Sequence, residues 1–309
     1  MAVYYIATIA AMLIWAASYV FTDICYGVMT PIQVAAVRSL ITTEILALVL
    51  LVQKLRQIHG RKKYGSAVIA VIPSTTEKHT KGDMAWVYVS GLLGITLYTI
   101  LENYGVRLTT TANSALVVAS FPAMTVLFEF LIYKMRPTFL KSAGILLAIV
   151  GVGVLTGTSS SVGENPLLGN LCLIVAGVTW AFYSFTTRIV ADKFPSTTLT
   201  FYQMLGSTVF YLPFVMAEGA RWKPWAPSVL GSVLFLCIGC SFAALLLYNF
   251  GLRKLSAGIS AIFLNLIPVF GIVCSAVIAK ENITVYQLIG GAVVIVGVLL
   301  SCAPEKKTK

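Results

Sequence analysis

Asn103-Tyr104-Gly105-Val106-Arg107 and Asn249-Phe250-Gly251-Leu252-Arg253 are two copies of one pattern. Laid in that register, the chain keeps matching itself without a gap. Ser114-Ala115 falls on Ser260-Ala261, Pro122 on Pro268 and Lys134 on Lys280. Thr138 then meets Thr284, Gly144 meets Gly290, and Ile149-Val150-Gly151-Val152 meets Ile295-Val296-Gly297-Val298. Both copies are strongly apolar. An internal repeat in an apolar chain is the sequence mark of transporter folds with a substrate site between two halves.

Composition agrees. The chain of 309 residues is 58% hydrophobic and only 11% charged, with a mean hydropathy of +0.90. A soluble domain carries about 25% charged residues. Crossing a hydrocarbon core takes an apolar run of about 20 residues. Such runs occupy 3–22, 33–52, 84–101, 112–132, 138–156, 167–187, 198–217, 228–248, 257–278 and 285–303. They leave no room for a soluble catalytic domain, so no enzyme activity and no cofactor is expected. The first run starts at Val3 without a basic leader or a small-residue cleavage site, and reads as an anchor rather than a cleaved signal.

The expected fold is an all-α integral membrane protein with ten transmembrane helices as two inverted five-helix repeats. An odd number of helices per copy forces the second copy upside down, about a pseudo-two-fold axis in the membrane plane. The first repeat covers 1–156 and includes a basic cytoplasmic loop, 53–83. An outer connecting loop follows at 157–166. The second repeat covers 167–303, and a basic cytoplasmic tail closes the chain at 304–309. Within the 53–83 loop, the apolar patch 66–73 is too short to span. It reads either as a mobile segment or as a contact with an anionic leaflet.

The net charge of +11 follows topology. With both termini cytoplasmic, most of the 22 Lys and Arg residues lie on the inner side. Arg107, Arg221, Lys223 and Lys280 lie on the outer side, and Arg38 lies inside a helix. The positive-inside rule therefore orients a multi-pass protein with both ends in the cytoplasm, and the plasma (cell inner) membrane is its expected location. The lipid bilayer is the expected partner, and nucleic acid is not.

The segment-by-segment motifs resemble those of the drug/metabolite transporter superfamily, in particular its EamA family of ten-helix transporters. Trp15-Ala16-Ala17-Ser18-Tyr19 and Trp180-Ala181-Phe182-Tyr183-Ser184 open the two halves alike. Arg38 follows Pro31, and Gln203 follows Pro195. The ending reads Asn265-Leu266-Ile267-Pro268-Val269, then Lys280-Glu281-Asn282-Ile283-Thr284, Gln287, Gly290-Gly291 and Gly297-Val298. The resemblance covers all but 53–83. One departure is visible: Met135 stands where the second copy has Glu281, so no matched acidic pair exists. The resemblance implies secondary transport, often outward, of a small organic metabolite such as an amino acid or related compound. No G-x-x-x-x-G-K-[ST] motif occurs, which argues against direct use of ATP.

Ionisable groups at membrane depth each cost roughly 2.5–3.5 kcal/mol on insertion scales and ask for a reason. Glu44, near the centre of the second apolar run, is a candidate proton carrier or a permanently paired carboxylate. Glu129 is a second proton-coupling candidate, or an interfacial partner of Lys134 and Arg136. Arg38 can take a substrate carboxylate in a bidentate contact or reach the headgroups. Glu102 either faces an outer vestibule or caps a helix end. Both histidines, His59 and His79, lie in the inner loop, so no imidazole relay or histidine-based metal site is expected at depth. Cys237 and Cys240 read as packing residues rather than as metal ligands.

Trp15, Tyr19, Tyr98, Trp180, Tyr183 and Tyr248 suit a cavity for an amphipathic solute, and Ser18, Asn103, Asn113, Gln203, Asn249 and Asn265 add hydrogen-bonding groups. Pro122 and Pro268 are expected to kink their helices, either beside substrate or as packing bends. The expected function is a secondary transmembrane exporter working by alternating access of a central site, coupled to protons or to a counter-solute. The alternatives are a membrane channel or a non-transport membrane-embedded protein.

Overall fold

The computed structural model describes residues 1–64, 80–109, 114, 117–134, 136–156, 164–219, 223–274 and 284–302. Among them the chain is helical and holds no strand. In chain order the helices are α1 (Ala2–Tyr26), α2 (Pro31–Tyr64), α3 (Lys81–Leu108), α4 (Val117–Tyr133) and α5 (Phe139–Thr156). They continue with α6 (Pro166–Ala191), α7 (Ser196–Glu218), α8 (Pro227–Leu252), α9 (Ala257–Cys274) and α10 (Val285–Ser301). Six of these are long and apolar enough to cross a membrane: α2 over Pro31–Arg56, α3, α6, α7, α8 and α9. Shorter apolar stretches occupy Ala2–Ser18, α4, Phe139–Val154 and α10.

Local chemistry sets the helix starts. Thr80 and Asp83 form a reciprocal capping box before α3, and Thr284 and Gln287 form another before α10. Thr30 and Gln33 exchange the same two bonds at the start of α2. Pro166 and Pro227 sit in the first helical turn, where their missing N–H costs nothing. At the exit of α7, Gly219 adopts φ +61°, a backbone that other residues rarely take.

Helix α2 runs past the expected start of the loop at 53 and ends at Tyr64. Leu, Lys, Arg and Gln, good helix formers, supply eight of the twelve residues 53–64, so the hydrogen-bond ladder continues beyond the apolar part and through Gly60. The 66–73 patch lies outside the described residues, as do Asn113, Met135 and the segments 157–163 and 280–283.

Packing follows a rule of fives. α2 lies against α7, α4 against α9 and α5 against α10. α3 packs on α6 and α7, and α8 packs on α1 and α2. α4 packs on α6, and α9 packs on α1. The two glycines of the repeated pentapeptide sit at matching crossings. A Cβ on Gly105 would meet Leu173 and the Gly169 carbonyl of α6, and one on Gly251 would meet Thr8 of α1. A close crossing joins α5 to α10. There Gly144, Gly151 and Gly297 bring backbone against backbone, with built Cβ contacts at 2.5–2.7 Å. Small residues that admit such approach are how membrane helices gain packing energy without a hydrophobic drive.

The prolines follow interruptions rather than bend continuous helices. Pro122 begins a helical segment just after a turn at Ser120. Pro268 follows a 3-10 turn, Phe263–Asn265. Each proline lacks the N–H that the carbonyl four residues earlier would need, so the break falls just upstream.

Candidate functional site

Two helices widen at related places. α3 carries a π-helical segment over Leu92–Leu97, and α8 carries one over Leu236–Ala244. A π turn frees backbone carbonyls from their usual partners and recurs at functional sites. Neighbouring helices take the freed groups. Tyr211 Oη of α7 donates to the Ile95 carbonyl at 2.6 Å. Trp15 Nε1 of α1 donates to the Cys240 carbonyl at 3.1 Å, and Thr42 Oγ1 of α2 to the Cys237 carbonyl at 3.3 Å. Cys237 and Cys240 are thus buried wall residues.

Between these widened segments lies a cavity of about 880 Å³. That falls in the range of roughly 300–1,000 Å³ usual for small-molecule sites. Its floor is aromatic and apolar: Trp15, Trp180, Leu264 and Ile267. Trp15 meets Trp180 edge-on at 5.7 Å, and Tyr98 lies 4.8 Å from Trp180. Its walls carry Arg38, Ser39, Gly94, Ile95, Met204, Tyr211 and Ser241. Its mouth is the α1–α2 turn with Glu102, Asn103, Arg107 and Lys223. Both halves of the chain contribute lining.

Polar groups in the cavity are held but not saturated. Arg38 Nε donates to Ser241 Oγ at 3.0 Å. Glu102 Oε1 accepts from Tyr98 Oη at 2.6 Å. Asn103 Oδ1 accepts from Tyr26 Oη at 3.1 Å. Ser18 donates to its own helix, to the Trp15 carbonyl at 2.6 Å. Trp180 Nε1 has no partner among the described residues.

Beyond the aromatic floor the bundle is sealed. Gln203 Nε2 donates to Ser90 Oγ at 2.8 Å and to Thr187 Oγ1 at 3.0 Å. Asn249 Nδ2 donates to Gln203 Oε1 at 2.8 Å and to Thr200 Oγ1 at 3.0 Å. Tyr183 Oη donates to Asn249 Oδ1 at 2.7 Å, and Ser184 and Tyr248 share a bond at 3.1 Å. Gln203, Asn249, Tyr183 and Tyr248 are all fully buried.

Of the residues singled out by sequence, the cavity gathers Trp15, Ser18, Arg38, Tyr98, Asn103 and Trp180. Tyr183, Gln203, Tyr248 and Asn249 belong instead to the sealed network. Asn265 is 1% exposed, and neither of its amide atoms has a partner among the described residues. It sits in the 3-10 turn between the lining residues Leu264 and Ile267. Tyr19 lies on α1, and its side chain is outside the described set. Pro122 is buried and does not line the cavity; Pro268 follows the lining Ile267.

The two proton-coupling candidates lie elsewhere. Glu44 is exposed, because the helical period of α2 turns Ser39, Thr42, Thr43 and Leu46 inward and leaves Glu44 outward. Glu129 is 2% exposed and pairs at 3.3 Å with Lys141 of α5, not with Lys134 or Arg136. The turn after α4 brings the first residues of α5 back over it. Among the described residues, the carboxylate that does line the cavity is Glu102. Its signal was its depth on an apolar run, beside the repeated Asn103.

Comparison with known proteins agrees with this architecture. The model of the EamA-like transporter family matches residues 2–157 and 167–303. The chain is 28% identical over 233 residues to the uncharacterized transporter YetK of Bacillus subtilis, covering 74% of this chain and 71% of that one. It is 25% identical over 299 residues to an uncharacterized transporter of Archaeoglobus fulgidus, with 95% of each chain covered. It is 25% identical over 234 residues to a protein of Streptantibioticus cattleyicolor named a probable terminal-alkyne amino-acid exporter, covering 75% and 77%. A crystal structure shares the fold with a TM-score of 0.75 at 19% identity, over 96% of this chain and 95% of that chain.

Proposed function

We propose that this chain, which belongs to the EamA-like transporter family, is a secondary carrier that exports a small organic metabolite such as an amino acid or related compound. Its ten helices span the membrane as two inverted five-helix repeats. Both termini face the cytoplasm, in the plasma membrane, and the cavity then opens outward. One observation carries this reading: a cavity built by both halves reaches the centre of the bundle from one end, and a hydrogen-bonded network seals the other.

Repeat-related residues sit on opposite sides of that floor. Asn103 lines the cavity, and its counterpart Asn249 is locked in the sealed network. Arg38, seven residues after Pro31, lines the cavity, and Gln203, eight after Pro195, is sealed. In an inverted repeat, such pairs describe one pathway open at one end and closed at the other. Exchanging their environments opens the opposite end, which is alternating access. The low-identity relative named as an amino-acid exporter supports the solute class.

The test is counterflow in proteoliposomes. Liposomes loaded with a mixture of unlabelled amino acids should draw in labelled ones from that mixture, saturably and faster than empty liposomes. An ionic conductance without saturation or counter-stimulation would instead make the protein a channel.

A further inference from the structure

Arg38 and Glu102 carry opposite charges into one cavity and form no direct ion pair with each other. Among the described residues the ion pairs are Lys141–Glu129, Lys193–Asp83, and Asp192 with Arg253 and Lys254. Arg38 and Glu102 appear in none of them. Each is instead steered by one neutral neighbour. Ser241 takes the Arg38 Nε, which leaves the terminal nitrogens of the guanidinium without a partner among the described residues. Tyr98 donates to Glu102 Oε1 and leaves Oε2 without one. Both side chains are half-buried, where charge–charge interactions are stronger than in bulk water.

Unpaired opposite charges beside an apolar floor ask for a ligand that carries both signs. A carboxylate fits the two-pronged donor set of a guanidinium. An ammonium fits the free carboxylate oxygen. A plain organic anion would satisfy Arg38 and meet repulsion from Glu102. A plain amine would do the reverse. Specificity built from such repulsion is as effective as specificity built from new contacts. We propose that Arg38 and Glu102 form the two poles of a subsite for a zwitterionic head group, with the solute's apolar part on Trp15 and Trp180. This rests on the carrier reading above and adds to it a charge rule for the substrate.

The test works whatever the physiological solute is. The purified full chain in detergent is titrated with three matched series: neutral 2-amino acids, the carboxylic acids lacking their amino group, and the amines lacking their carboxyl group. Quenching of tryptophan fluorescence, with Trp15 and Trp180 at the floor, reports binding by non-aromatic members. Thermal stabilisation reports the rest. At least one amino acid should bind tenfold or more tighter than both of its truncated analogues. Glu102→Gln should cut that affinity at least tenfold and narrow the gap to the deaminated acid. Arg38→Gln should narrow the gap to the amine.

Equal binding of an amino acid and its deaminated acid by the unmutated protein would overturn the proposal. So would binding by none of the amino acids, or an amino-acid affinity within twofold after Glu102→Gln. Comparing ligands on the unmutated chain keeps the result meaningful if a variant folds poorly. If a solute of one sign binds and also shows counterflow, the zwitterion subsite falls and the carrier reading stands.

Discussion

Asn103 and Asn249 occupy the same place in the repeat and have opposite surroundings. Asn103 meets a cavity and one tyrosine hydroxyl. Asn249 makes bonds to Tyr183, Thr200 and Gln203 in a fully buried site. Removing one partner from a buried network costs about 1–3 kcal/mol, because the other groups stay buried and unpaired. Asn249→Ala should therefore weaken the sealed end and shift the conformational balance toward the opposite-facing state. A shift of about 1.4 kcal/mol is tenfold. Thiol labelling of a cysteine at Thr200 should speed up by about that factor in the Asn249→Ala background; an unchanged rate would mean that the network does not hold the end shut. Sequence made both asparagines visible as candidates, since polar residues in apolar helices stand out. It could not say which of the two was exposed to solute. A repeat encodes equivalent positions, and the state of the molecule breaks the equivalence.

At the scale of elements, the π segments of α3 and α8 shape the cavity. Each inserts residues into a helical turn and rotates everything that follows relative to an ideal 3.6-residue period. The rotation bears on Tyr98 and Glu102, which follow the Leu92–Leu97 segment. Sequence left Glu102 either facing an outer vestibule or capping a helix end, and the structure places it in the cavity lining. The carbonyl acceptors Ile95 and Cys240 depend on Tyr211 and Trp15. Tyr211→Phe leaves the Ile95 carbonyl without that donor and should lower thermal stability by about 1–2 kcal/mol. Counterflow should fall with it, whereas a phenylalanine variant with unaltered melting and flux would rule out this bond as a wall support. The α5–α10 crossing gives a second check. A side chain at Gly297 would meet the Ala148 nitrogen at 2.6 Å and the Gly144 carbonyl at 2.7 Å. Gly297→Leu should cost at least the roughly 1–3 kcal/mol of an overpacked core, read as a lower melting temperature in detergent. Gly144, Gly151 and Gly297 were visible in the sequence as parts of the repeat. Their partner helices were not, because contact across two helices is not written in either one.

In the whole molecule, helix packing joins elements five apart: α2 with α7, α4 with α9 and α5 with α10. The all-helical, apolar architecture follows from hydropathy, so it was readable before the site. The location of the carboxylates was less so. Glu44 and Glu129 are prominent in sequence, but one faces outward and the other is consumed by Lys141. The repeat also fixes what the molecule must do if it is a carrier: the open and sealed ends exchange. The most direct measurement places single cysteines at Ser18, in the cavity, and at Ser184, in the sealed network, after replacement of the native cysteines. Membrane-impermeant thiol reagents are then applied from each side of sealed vesicles. Alternating access predicts that the Ser18 position reacts from the outside and the Ser184 position from the inside, with modification of one slowing reaction at the other. Reaction of both positions from the same side, independently of each other, would contradict it.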